Sequence, residues 1–308
     1  MICTLSLASS LLVFAQSEDV PATDSDTPPA VEEELKIDPA EALAKMKAAI
    51  KSESDVVILD AIAYAAEVED KKIIGEFYKL LKHKSVDIRL AALEAMRFNK
   101  HDEALKRLLS FGSNKLLEND AEYLAEYIYA LGQKADKKAA KLIKNDLVMT
   151  SAHDGDVLKA RVYALGRIRE VDSIETLLQL SQSGGGGGGR RGRGRATAKM
   201  RVEIQTSLSV LTGVELGNEV LDWTNWWSDN KRSFKVTKAE SKIDDRKLQA
   251  KWDSLWMTEE QKAQAIQDFK DERAQNRKDG KGDAGDDKKG DDKKDDDKKD
   301  DDDGLIDF

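Results

Sequence analysis

Apolar residues recur every three or four positions through most of the chain between residues 41 and 235. That spacing marks one face of an amphipathic helix. "SVDIRLAALEAMRF" sets Ile88, Ala91, Ala92, Ala95 and Met96 on one face, and "DGDVLKARVYALGRI" does the same with Val157, Ala160, Ala164, Leu165 and Ile168. The small alanines let facing helices approach closely. The pattern predicts helix pairs at about 54–83, 85–114, 119–149 and 156–183, with a fifth pair starting at Arg201. The tetrapeptide "YALG" occurs at Tyr129–Gly132 and again 34 residues later at Tyr163–Gly166. Asp70, Asp102, Asp136 and Asp172 each open an apolar-periodic segment, at spacings of 32, 34 and 36. Asp is a favoured N-cap because its carboxylate accepts the orphan amides of a first turn. Glu175, three residues after Asp172, suggests a capping box there.

A helix pair of this kind cannot bury its apolar face alone, so successive pairs are expected to stack around one continuous core. The expected fold is all-α, an α-solenoid of about five helix pairs. The run Asp87, Ile88, Arg89, Ala91, Ala92, Ala95 and Met96 resembles the first helix of a HEAT unit, and the resemblance covers roughly residues 41–235. All four prolines lie at or before Pro39, so these first helices lack the proline that often kinks a HEAT helix. Other armadillo-like α-solenoids share the same pattern. The segment "VEIQTSLSVLTGVELGNEVLDWTNWWSDNKRSF" is similar to the closing unit of secreted bacterial HEAT-repeat proteins. There Leu211, Thr212, Gly213 and Gly217 form the turn, and Trp223, Trp226 and Trp227 form a W-x-x-W-W pattern. Gly213 and Gly217 can take positive φ where the helix ends. The three tryptophans fall on one helix face, suited to covering the exposed end of the stack. A binding cage is the sharper alternative.

The period changes after Ser241. Residues 241–278 read as a helical hairpin, with Leu248, Trp252, Leu255 and Trp256 striping the first helix and Ala265, Ile266 and Phe269 the second. Thr258 and Gln261 have the spacing of a capping box. The stripes are expected to pack on the preceding helices or against each other, with docking to another protein as the alternative.

Charge is segregated along the chain. Residues 16–34 carry seven acids and no base, and residues 279–308 carry fourteen Asp and seven Lys, so each end is −7. With −9 overall, the intervening 35–278 is +5. Residues 16–40 read as a disordered acidic linker and 279–308 as a disordered Asp/Lys tail. Residues 1–15, "MICTLSLASSLLVFA", read as a signal peptide cleaved near Ala15, which predicts a secreted or periplasmic protein. The only cysteine, Cys3, would leave with it.

Chemistry-bearing motifs do not assemble. His83, His101 and His153 fall at predicted helix ends or loops, without the i, i+4 partner of a zinc helix. An EF-hand register from Asp279 places Gly290 where the bidentate Glu belongs. The segment "SGGGGGGRRGRGRATAKMR" has no Lys-Ser or Lys-Thr after its glycines and no third glycine of a dinucleotide turn. It lacks aromatics for stacking on bases. It reads as a loop insertion at 183–199 between the fourth and fifth pairs. Its Arg190, Arg191, Arg193 and Arg195 are candidates for meeting an anionic partner.

These readings describe a binding protein without catalytic residues, cofactor or metal. Solenoids bind along a face lined by their second helices. Here those helices carry Lys106, Arg107, Lys137, Lys138, Lys141 and Lys144. The expected function is a non-catalytic HEAT-repeat scaffold that holds a protein or other anionic macromolecule outside the cytoplasm. Its own acidic tail is one candidate occupant; nucleic acid is disfavoured. The alternatives are a lyase- or glycosylase-type enzyme on a HEAT-like scaffold, and a structural component of the cell envelope.

Overall fold

The computed structural model describes residues 37–144, 155–183 and 201–278. Among these the chain is all-helical, without strands. The segment read as a signal peptide, residues 16–36 of the expected linker, the Gly/Arg insertion beyond Ser183, the Asp/Lys tail and His153 lie outside the described residues. Residues 37–40, expected as disordered linker, are described, and Pro39 and Ala40 begin a helix.

A first helix precedes the expected pairs. α1 (Pro39–Ser52) starts where Asp38 accepts the Ala40 amide and Pro39 supplies a pre-set φ at the first position. Then follow α2 (Asp55–Ala65), α3 (Lys71–Leu80), α4 (Val86–Phe98), α5 (Asp102–Phe111), the single turn α6 (Leu116–Asn119), α7 (Ala121–Lys134) and α8 (Lys137–Lys144). α9 (Gly155–Arg167), α10 (Val171–Ser183), α11 (Arg201–Thr212), α12 (Val220–Asn230), α13 (Arg246–Ser254) and α14 (Glu259–Lys278) complete the order.

The helix starts test the capping reading residue by residue. Asp70 accepts from the Lys72 and Ile73 amides, and Asp136 from Lys138. Asp102 is not a cap. The chain turns one residue earlier, where His101 Nδ1 accepts the Glu103 amide at 3.0 Å. Asp172 also lies inside a first turn, one place after Val171, and its carboxylate pairs with Lys144 instead. There is thus no capping box with Glu175. An Asp in a first turn still meets the helix dipole favourably, so a shift of one or two residues costs little.

Helices two steps apart in sequence, or three across the single turn α6, touch in succession. α2 meets α4, α4 meets α7, α7 meets α9 and α9 meets α11, while α3 meets α5 and α5 meets α8. Within the second, third and fourth pairs the members also touch, α4 with α5, α7 with α8 and α9 with α10, and α10 contacts both α11 and α12. Ile88, Ala92, Ala95 and Met96 of α4 are buried as expected and Ala91 is half-buried; Val157, Ala160, Ala164 and Leu165 of α9 and Ile168 just past its end are buried. Tyrosines join the members of neighbouring pairs. The Tyr123 hydroxyl donates to Leu81 O at 2.9 Å and that of Tyr127 to Leu108 O at 2.8 Å, so each buried phenol has its acceptor.

A second set of ties falls at a spacing of 35. Asn99, Lys134 and Arg169 stand at corresponding helix ends. Asn99 Nδ2 donates to Ala66 O and Val68 O, Lys134 Nζ to Asn99 O, and Arg169 to Val210 O and Leu211 O. Each satisfies carbonyls that a helix end leaves without an intrahelical partner or that a turn exposes. Arg89 adds a tie from α4 to Asp120, the N-cap of α7, at 3.2 Å.

After α11 the chain turns through Gly213 and Gly217, both at positive φ (72° and 73°). Trp223 and Trp227 are then buried on α12 and Trp226 half-buried, clustered with Phe234. Trp223 Nε1 donates to Gly217 O at 2.9 Å, which fixes the turn to the helix that follows it.

Candidate interaction surfaces

Two surfaces emerge from this arrangement. One is covered by the chain itself, and the other is open.

The covered surface lies on α4, α7, α9 and α11. Tyr163 and Gly166 are buried although they face away from the expected apolar stripe of α9. α9 is therefore buried nearly all round, which requires a second covering element. That element is α13. Trp252 packs on Tyr163 with ring centroids 6.0 Å apart and planes inclined at 69°, and Trp256 packs on Tyr129 with the same separation and inclination. A Cβ on Gly166 would come within 2.8 Å of Trp252 Cη2 and of Ser207 Cβ. A Cβ on Gly132 would come within 3.0 Å of Trp256 Cη2 and 2.9 Å of Ala164. The two "YALG" segments thus form two like sockets. The Tyr supplies an edge-to-face wall and the Gly leaves room for the indole. Two tryptophans one helical turn apart fill them in antiparallel order.

Charged groups frame the sockets. Trp252 Nε1 donates to Glu240 Oε2 at 3.0 Å, and Glu240 Oε1 lies 3.0 Å from Arg167 Nε. The Arg167 guanidinium sits over the Trp256 ring at 4.7 Å. Arg97 of α4 donates to Leu255 O just past the end of α13, lies over Tyr129 and Trp256, and faces Glu126 at 3.5 Å. Burial lowers the pKa of both guanidinium groups and raises those of Glu94 and Glu126 beside Arg97. Arginine stays charged under such conditions, so both act as fixed cations against the indole rings. Past α13, Thr258 and Gln261 form the expected reciprocal cap, at 3.0 and 3.2 Å. Arg246 reaches Glu272 and the Phe269 ring, while Ala265, Ile266 and Phe269 are only half-buried.

The open surface is carried by the second helices α5 and α8, which touch each other. Lys106, Lys137, Lys138 and Lys141 are exposed, and none forms an ion pair among the described residues. The other two lysine-face candidates are engaged. Arg107 Nε bonds Glu103 at 2.9 Å and stacks over Tyr78, and Lys144 pairs with Asp172. Arg190, Arg191, Arg193 and Arg195 lie outside the described residues.

Neither His83 nor His101 approaches an acidic cluster; each accepts a backbone amide through Nδ1. Among the described residues no group of three His, Cys, Asp or Glu is gathered to hold a metal ion, and no helix is long and apolar enough to cross a membrane. A cleft lined by Ile204, Leu208, Gly217, Val220 and Trp223 has a volume of about 20 Å³, room for roughly one water.

The sequence displays both halves of the covered surface, the repeated "YALG" and the Trp252/Trp256 stripe, but no local signal joins them. Arg97, Arg167 and Glu240 carried no motif. Comparison of the chain with known protein families and with curated proteins gives no match.

Proposed function

We propose that the protein is a non-catalytic, HEAT-like α-solenoid scaffold that holds an anionic macromolecule outside the cytoplasm. The observation that carries this reading is the group of exposed, unpaired lysines Lys106, Lys137, Lys138 and Lys141 on two touching helices. Lysines close together in water repel one another mildly and gain from a shared polyanion, through release of its condensed counterions. The succession of first-helix contacts and the 35-residue ties at Asn99, Lys134 and Arg169 support a repeating scaffold. The buried positions of Trp223 and Trp227 support an end cap over a tryptophan cage. Export rests on the apolar leader at 1–15. The arginines at 190–195 follow α10 in the chain and are assigned to the same anionic partner.

The test is binding of labelled poly-L-glutamate by fluorescence anisotropy, at low ionic strength and at about 0.15 M, where the Debye length is about 8 Å. Replacing Lys137, Lys138 and Lys141 by Glu is expected to abolish binding. The same charge change at Lys47, Lys51 and Lys242, exposed elsewhere, is expected to leave most of it. Equal losses in both variants would refute the surface. Deleting 279–308 asks whether the acidic tail competes. Tighter binding in the shortened chain is expected if it does.

A further inference from the structure

We propose that the paired tryptophan sockets are a docking site that accepts α13 from a second copy of this chain as well as the chain's own. This goes beyond the anion-binding reading and uses a different surface: the sockets lie on α7, α9 and α11, the lysines on α5 and α8.

The covering segment is separable from the body. Tyr163, Val210, Ile243, Trp252 and Trp256 form an apolar cluster of their own, distinct from the continuous core of the other helices. A satellite cluster of this kind opens at lower free energy than the global core. The segment's attachment is also narrow. Between Lys231 and Glu240 most residues are exposed; Phe234 packs on Trp226 and Trp227 and Val236 on the core, Thr237 is tied to Arg169, and Ser241 N bonds Val210 O at 3.2 Å. Beyond α13, α14 is exposed along most of its length. The link between Val236, packed on the body, and Glu240, seated at the sockets, is three residues, 237–239, or about 10 Å, so an exchange requires two copies that abut at this hinge.

The sockets recognise a helix by features that travel with the segment. Two indoles at i, i+4 fill the glycine sites, Glu240 brings the acceptor for Trp252 Nε1 and the partner for Arg167, and the terminal carbonyl of Leu255 meets Arg97. Apart from the bond between Trp252 and Glu240, which stays within the segment, these contacts cross between segment and body. A two-fold exchange between copies therefore restores every one of them in both partners, as an isologous swap requires. The closed form also has a weak point. Trp256 Nε1 is buried and bonded to nothing among the described residues. An unsatisfied donor lowers the cost of leaving.

Two full-length variants test the proposal. In one, Trp252→Ala with Trp256→Ala leaves the sockets vacant. In the other, Gly132→Leu with Gly166→Leu fills the sockets and leaves the tryptophans undocked. Sedimentation is expected to show that neither associates alone and that an equimolar mixture forms a one-to-one complex. Adding wild-type chain should compete for it. A mixture that stays monomeric while both variants keep wild-type helical circular dichroism overturns the proposal. A labelled peptide spanning 239–278, which includes Glu240, incubated in excess with the wild-type chain, asks the same question without altering the acceptor. Incorporation, weakened at least about tenfold when the peptide carries Trp252→Ala, supports the proposal, since anchor aromatics dominate such interfaces. No incorporation after incubation just below the melting temperature overturns it.

Discussion

Gly166 lies beneath Trp252, so close that a Cβ at 166 would come within 2.8 Å of the indole Cη2. Thirty-four residues earlier, Gly132 stands in the same relation to Trp256, at 3.0 Å. A glycine in a helix interior ordinarily costs about 1 kcal/mol against alanine. At these two positions the absent methyl makes room for an aromatic ring.

Three glycine-to-alanine substitutions should therefore separate. Gly75 is a helical glycine of α3 with nothing within 4 Å of a Cβ. Gly75→Ala is expected to stabilise by about 0.5–1 kcal/mol. At Gly166 the methyl meets both Trp252 and Ser207, and overpacking of roughly 1–3 kcal/mol outweighs the helix-propensity gain. Gly132→Ala meets the Ala164 backbone as well and should cost at least as much. Denaturant midpoints of the three variants decide this. A stabilising Gly166→Ala would contradict the socket.

The two tryptophans should not be equivalent. Trp252 is 1% exposed and donates to Glu240, whereas Trp256 is 6% exposed and its Nε1 has no acceptor among the described residues. Large-to-small replacement of a buried Trp costs about 3–5 kcal/mol of local stability. Trp252→Phe should cost more than Trp256→Phe, because only the first removes a hydrogen bond, the one that Trp252 Nε1 donates to Glu240 Oε2. Native-state proteolysis between residues 231 and 258 reads the difference.

Lys134 gives a pH dependence with a definite sign. Its ammonium donates to Asn99 O, yet burial lowers its pKa to about 8. An unfolded lysine titrates near about 10.4. Between these values the unfolded chain holds the extra proton, so stability rises with pH through the window and the penalty is fully present below it. Lys134→Met is expected to be more stable than wild type at pH 7, with the gap closing by about pH 10. Tyr123, Tyr127, Tyr129 and Tyr163 act oppositely. Burial raises each phenol's pKa, so unfolded tyrosines release protons first and stability falls above about pH 10. Urea midpoints of both chains across pH 7–11 check the two slopes. A constant gap between them would exclude Lys134 as the source.

At the other end, Trp223 and Trp226 differ in the same physical terms. Trp223 is buried and bonded to Gly217 O; Trp226 is half-buried and stacked on its neighbours. Trp223→Ala should cost about 3–5 kcal/mol and Trp226→Ala distinctly less. Thermal unfolding ranks them, and a reversed order would favour Trp223 as an exposed binding residue.

Local physics was legible in the sequence, and long-range pairing was not. The helical period, the positive-φ glycines at 213 and 217 and the Thr258–Gln261 cap depend on residues within a few positions of each other. The cap expected at Asp102 failed by one residue and that at Asp172 by two, because His101 accepts an amide as well as Asp does and Asp172 had Lys144 to meet. Tyr163 and Gly166 fall off the apolar stripe of their helix, and their cover, Trp252, lies 86 residues beyond Gly166. The lysine face was legible as composition. Which lysines stay free was not, since Lys144 is taken by an acid 28 residues away.

Hydrogen–deuterium exchange of the Trp252→Ala, Trp256→Ala chain tests most directly whether two sockets hold the C-terminal helices on a body that stands without them. Amides of α13 and α14 are expected to exchange freely, while those buried in α4, α7 and α9 keep wild-type protection. Protection lost together across residues 37–230 would contradict the account, because the sockets would then be part of a single indivisible core.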